Sequence, residues 1–140
     1  MALDLSNLRK AILVLDRSLN IAHSDGDIMV NEDLRDTVRA GVIQNFEVAY
    51  EQCWKYIQRW IHDNHSPEEA NYPRTRKELF RMAARYELVA DPLPWFVYGD
   101  ARNLTSHTHD EHHALTVFEA AERFIDDARD LLYRLEDRND

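Results

Sequence analysis

Glycine and proline are scarce in this chain, at 3 and 4 among 140 residues. A fold of many short strands needs a turn-forming residue at each reversal, so the scarcity argues against a sandwich or barrel and for a few long helices. Cysteine is rarer still. Cys53 stands alone, which excludes an internal disulfide and makes a reducing cytoplasm the expected location. Long apolar runs are missing too. The longest, Ala11 to Leu15, is far too short to span a bilayer. The N-terminus carries no basic flank followed by the apolar core of a secretory signal, so no membrane contact is expected. Positive charge is outnumbered, 17 Lys and Arg against 26 Asp and Glu, giving a net charge of −9. Such a chain repels a phosphate backbone as a whole, which disfavours free-standing, unspecific nucleic-acid binding.

What remains is 44% apolar and 31% charged, a globular balance expected to form one domain over residues 1–140. Charge is unevenly spread. Arg74, Arg76, Lys77, Arg81 and Arg85 fall close together, while the C-terminal end is acidic.

Apolar spacing sets the secondary structure. Leu5, Leu8, Ile12, Leu15 and Leu19 step by three and four, predicting a first helix that ends near Ile21. Residues 23–27, His-Ser-Asp-Gly-Asp, have loop chemistry. Asn31 can cap a long second helix striped by Ile43, Phe46, Tyr50, Cys53, Ile57 and Trp60; Gly41 interrupts it and offers close helix contact. Ser66, Pro67 and Glu69 start a helix that Pro73 keeps short. Thr75 and Glu78 cap a third helix with Leu79, Met82, Tyr86 and Val89 inward. Asp91 and Pro92 open a fourth through Trp95, Phe96 and Tyr98. Thr108 and Glu111 cap a fifth, striped by Ala114, Phe118, Ala121, Ile125, Ala128, Leu132 and Leu135. The expected fold is all-α, an antiparallel up-and-down bundle of four or five helices. Trp54, Val42, Val97, Leu131, Phe124 and Trp95 lie off these stripes and suggest a second buried surface, for which an oligomer interface is the ordinary explanation.

The chemistry concentrates in residues 100–113, DARNLTSHTHDEHH. His109, His112 and His113 have spacings that can place two imidazoles on one helix face, with Asp110 or Glu111 adding oxygen. No Cys or His-Glu-x-x-His pattern supports them, and exposed histidines in a helix's first turns explain them better; no metal and no cofactor is expected. Arg102 and His107 suit phosphate chemistry. The guanidinium presents a charged planar fork, and an imidazole exchanges a proton near neutral pH. On an unbroken helix the two would sit about 140° apart, so they could flank one groove only if the backbone leaves the helix before Thr108. Asp100, Asn103 and His107 step as one stripe, and Asn103 could orient His107 or bind phosphate. Glu47 and Glu51 could tune His107 or accept from Arg102, or be ordinary surface glutamates. Tyr50 and Trp54 read as core or dimer interface, and Cys53 as packing. Arg74, Lys77, Arg81 and Arg85 step by three, four and four, a solvated face first and a contact for RNA phosphates or an acidic partner second.

Two segments carry a resemblance. Gln44 to Glu51 reads Q-x-F-E-x-x-Y-E, and Trp95 to Thr108 reads W-x-x-Y-x-D-x-R-N-x-T-S-H-T. Together they resemble the small HEPN-fold nucleotidyltransferase substrate-binding proteins, partner subunits of minimal nucleotidyltransferases, over nearly the whole chain. The resemblance implies a dimerising helical bundle that brings two Arg-x4-His motifs near each other. It also implies a toxin–antitoxin module, in which this subunit cleaves RNA without metal. The catalytic residues would be Arg102 and His107 with Asn103 beside them, supported by Asp100, Ser106, His109, Glu47 and Glu51. A separate minimal nucleotidyltransferase would be the antitoxin, in studied cases transferring nucleotide to a tyrosine two residues after the motif histidine. Here that position is His109. No nucleotidyltransferase motif lies in this chain. The rival expectations are a non-enzymatic nucleotide- or substrate-binding subunit that docks onto such a nucleotidyltransferase, and a plain helical interaction protein.

Overall fold

A computed structural model describes residues 2–24 and 31–139. Helix α1 spans Ser6–Ser24, α2 Glu32–Asn64, α3 Pro67–Asn71, α4 Arg76–Arg85, α5 Leu93–Asn103 and α6 Glu111–Asp137, with a 3-10 turn at Leu104–His107. All regular structure among the described residues is helical, as the turn-residue scarcity requires. Residues 25–27 of the expected first loop lie outside the described residues. His23 and Ser24 belong to α1, which runs past Ile21 because His23 reaches Glu122 on α6 at 2.7 Å.

Side-chain pairs set the directions. Leu3 and Asn139 exchange two hydrogen bonds, Arg9 meets Glu136 and His23 meets Glu122, so α1 and α6 run antiparallel. Ala22 shares a groove with Val38, and Asn7 another with Gln52, so α1 is antiparallel to α2 as well. Gly99 lies against Tyr50 and Arg102 against Glu47, which runs α5 against α2. The main helices therefore alternate up and down.

Three caps are as the local chemistry demands. Asn31 accepts from the Leu34 N–H, Ser66 from Glu69 and Thr75 from Glu78, each satisfying a donor with no partner inside its helix. The fifth expected cap is corrected. Thr108 stays in the turn after the 3-10 segment, and Asp110 takes the N-terminus of α6, accepting from the His112 and His113 N–H groups. The third helix also ends sooner than its stripe implies. Glu87 adopts φ 62°, and the Leu88 N–H returns to the Ala83 carbonyl, a left-handed closure that leaves Val89 buried outside the helix and Tyr86 half-buried. Gly41 makes no close helix contact among the described residues: a methyl added there meets none of their atoms within 4 Å.

The core is one apolar cluster, with Phe124 at its centre. Phe46, Tyr50, Trp95 and Tyr98 surround its ring at centroid separations of 5.1, 6.5, 5.7 and 5.3 Å. The second surface expected for an oligomer is largely this same core. Val42, Phe124, Leu131 and Trp95 are buried within the chain, because α6 packs on α1, α2 and α5 at once; only Val97 stays exposed and Trp54 half-exposed.

The Asp110 cap has a pH signature. Backbone N–H donation from His113, then from His112, holds its carboxyl below the usual carboxylate range. A depressed pKa contributes stability above the unfolded value, near pH 4, that is lost as pH falls through the folded one. Asp110→Asn keeps the acceptor and removes the titration. The variant is expected to show weaker acid sensitivity of amide exchange at His112 and His113 than the wild type; equal sensitivity counts against the cap.

Candidate functional site

Arg102 sits in the last turn of α5, where packing of Trp95, Tyr98 and Ala101 into the core turns its side chain toward α2. There its Nε donates to Glu51 Oε1 at 2.9 Å, and Nη2 lies 3.5 Å from Glu47 Oε1. Nη1 donates to Thr105 Oγ1 at 3.0 Å, and that hydroxyl donates to the Arg102 carbonyl at 2.8 Å. The guanidinium is thus held on three sides with 29% of the side chain exposed. Glu51 does double duty, since its second oxygen accepts from Trp54 Nε1 at 2.8 Å. Sequence reasoning left Glu47 and Glu51 as partners of His107, acceptors for Arg102 or ordinary surface glutamates; the structure sets both against Arg102. It missed Thr105, whose signal is its position three residues past Arg102, where a hydroxyl reaches back to a helix's last carbonyls.

The expected Asp100–Asn103–His107 stripe is not continuous. The α-helix ends at Asn103, and the backbone tightens into the 3-10 turn that carries His107. His107 is exposed, with the His109 and His113 rings 6.5 and 6.3 Å away. The His113 Nδ1 lies 3.3 Å from the His107 carbonyl. Ser106 and His109 are exposed in the same stretch. Among the described residues no group of three or more His, Cys, Asp and Glu side chains is poised to hold a metal ion.

A cavity of about 510 Å³ opens beside Arg102. Tyr50, Phe80, Trp95, Phe96 and Gly99 form its apolar walls, and Glu51, Arg76, Lys77, Asp100, Arg102 and Asn103 its polar ones. His107 is not among its lining residues. Within one chain, then, Arg102 and Asn103 face this cavity and His107 stands outside it. Of the basic stripe, Lys77 lines the cavity and Arg81 lies over its Phe96 wall, while Arg74 and Arg85 are exposed and are not among its lining residues. Cations and rings interleave at the rim. The Arg76 guanidinium stacks 3.4 Å above Trp54, and Lys77 and Arg81 lie over Phe96 at 5.6 and 5.2 Å.

Tyr50 is the unusual wall. It is 2% exposed, and its hydroxyl finds no hydrogen-bond partner among the described residues. Burial pushes its phenol up to about 12, so it stays a neutral hydroxyl. The hydroxyl presses on Gly99, where an added Cβ would lie 2.9 Å from the oxygen.

Comparison with known proteins now decides the family. The family model described as nucleotidyltransferase substrate binding protein like matches residues 3–137. The chain belongs to that family. It is 34% identical over 106 residues to a Haemophilus influenzae protein named "Probable ribonuclease HepT", covering 76% of this chain and 73% of that one. A solved Haemophilus influenzae structure, described as the fold of a substrate binding domain of a nucleotidyltransferase, superposes with a TM-score of 0.88. It is 28% identical and covers 95% of this chain and 99% of that one. A Thermus thermophilus structure, 24% identical with a TM-score of 0.71 over 91% of this chain and 98% of its own, shares the fold.

The Tyr50–Gly99 contact makes a double-mutant prediction. Gly99→Ala should destabilise by about 1–3 kcal/mol through overpacking. Tyr50→Phe, which removes an orphaned hydroxyl, should be neutral or stabilising. The double variant should recover most of the Gly99→Ala loss in urea denaturation, because the next Tyr50 atom is 3.8 Å from the added carbon. Additive losses would contradict the contact.

Proposed function

We propose that this chain is the HEPN-type toxin subunit of a nucleotidyltransferase-linked toxin–antitoxin module, and that it cleaves RNA without metal through Arg102 and His107. The observation that carries the reading is the three-sided grip on Arg102. A guanidinium fixed by Glu51, Glu47 and Thr105 yet partly open to solvent is preorganised for a phosphate. His107 is exposed on the turn that follows, free to meet the same RNA backbone. His107 is absent from Arg102's own cavity, so the complete site needs two copies, a homodimer whose groove gathers both motifs. In that groove His107 takes the proton from a ribose 2′-hydroxyl, the 2′-oxygen attacks phosphorus, and Arg102 neutralises the charge on the five-coordinate phosphate. The bond to the 5′-oxygen breaks, leaving a 2′,3′-cyclic phosphate, and a protonated imidazole returns a proton to the departing oxygen. Asn103, Asp100, Ser106 and His109 border this path. The name of the Haemophilus influenzae relative supports the ribonuclease reading.

The antitoxin in this proposal is a separate minimal nucleotidyltransferase. His109 offers no phenol for nucleotide transfer, so neutralisation by binding suits this pair.

One observation favours a second reading, a non-enzymatic subunit that presents substrate to that nucleotidyltransferase. Arg102 is already matched by two carboxylates, and a binding role does not require His107.

Expression without the partner separates the two. Wild type is expected to slow growth and fragment RNA, and the purified protein to keep cutting in chelator. His107→Ala and Arg102→Ala should lower cleavage at least about 100-fold with helical content unchanged. Wild type and both variants leaving RNA equally intact would establish the binding subunit instead.

A further inference from the structure

We propose that the cavity beside Arg102 is a specificity pocket that takes one unstacked base of single-stranded RNA, next to the phosphate held at Arg102. This rests on the ribonuclease reading and adds to it the form of the substrate.

The cavity has the parts such a ligand needs. Its volume, about 510 Å³, falls within the roughly 300–1,000 Å³ of small-ligand sites. Phe96, half-exposed, gives it an aromatic wall on which a base can stack, with Tyr50, Phe80 and Trp95 buried behind it. Its charge runs against that of the molecule. Arg76, Lys77 and Arg102 face it with only Glu51 and Asp100 opposing, on a chain whose net charge is −9. Glu51 is paired with Arg102, so the excess positive charge comes from Arg76 and Lys77 against Asp100. The first turn of α4 opens here as well, through Thr75, Arg76 and Lys77, and a helix N-terminus favours an anion.

The second, independent observation is the Tyr50 hydroxyl. It is buried and finds no partner among the described residues, and Tyr50 lines the cavity. A buried hydroxyl left unpaired opposes folding, and phenylalanine fills the same space without that penalty. An orphan donor and acceptor inside an aromatic pocket fits a base edge, which offers both. Gly99 completes the wall, because any larger residue would drive the hydroxyl out of place. A duplex cannot use this site, since its bases are stacked and its edges paired.

The test measures binding and cleavage separately. Affinity is read by calorimetry on the full chain carrying His107→Ala, so that no RNA is cut. Probes are a single-stranded oligoribonucleotide of about ten residues, the same sequence as a duplex, a nucleoside 5′-monophosphate, and ribose 5-phosphate. The single strand should bind at least tenfold tighter than the duplex, and the nucleotide tighter than ribose 5-phosphate. Adding Tyr50→Phe should weaken single-strand binding five- to tenfold while leaving thermal stability equal or higher, so the loss cannot come from unfolding. Lys77→Gln, at an exposed position, should lower the salt slope of binding by about one. Equal affinity with and without the Tyr50 hydroxyl, equal affinity for duplex and single strand, or ribose 5-phosphate matching the nucleotide would each overturn the pocket. The two proposals fail differently. Wild type that cuts nothing but binds in this pattern ends the nuclease and keeps the pocket. Wild type that cuts while Tyr50→Phe binds and cuts identically ends the pocket alone.

Discussion

Helix α5 lies where the aromatic cluster around Phe124 holds it, and the site follows from that placement. Trp95 and Tyr98 meet the Phe124 ring edge-on, and Phe80 stacks on Trp95 at 4.9 Å. Interdigitated rings tolerate little sliding, because interiors are packed to crystal-like density. With Tyr98 further tied to Asp127 and to the Arg123 carbonyl on α6, α5 has one rotational setting. That setting brings Gly99 onto Tyr50 and aims Arg102 at Glu47 and Glu51 on α2.

The carboxylates serve two ends at once. They neutralise a half-buried guanidinium and fix its plane. In the proposed function a phosphate competes with them, which favours a ligand with further contacts over a lone anion. The rim supplies such contacts, with Arg76, Lys77 and Arg81 lodged against Trp54 and Phe96. The end of α5 adds the last constraint. The change from α-helix to 3-10 turn after Asn103 carries His107 off the helix and leaves it exposed.

Periodicity made the bundle legible, because the long helices bury one regular stripe each and Asn31, Ser66 and Thr75 cap where their side chains predict. Two features escaped it. Thr108 and Asp110 can both cap a helix, and only the turn geometry after His107 decides for Asp110. Phe124 and Leu131 looked surplus because α6 is covered by α1, α2 and α5 at once, which buries them beside the expected stripe while Phe118 and Leu132 on that stripe are only partly buried. The pairing of Arg102 with Glu47 and Glu51 was one of the alternatives their residue types left open, and tertiary geometry decides for it. The cavity and the Tyr50 hydroxyl were not legible at all, since Tyr50 has the spacing of any core residue and its orphaned oxygen exists only once Gly99 arrives against it.

The central claim is that a guanidinium and an imidazole meet on one phosphate. Nuclear magnetic resonance of the Arg102 Nε–H and the His107 ring, during titration with an oligonucleotide whose 2′-hydroxyls are removed, tests it most directly. Both signals are expected to shift in step and saturate at the same ligand concentration. A shift at Arg102 while the His107 ring remains as in free protein would contradict the account.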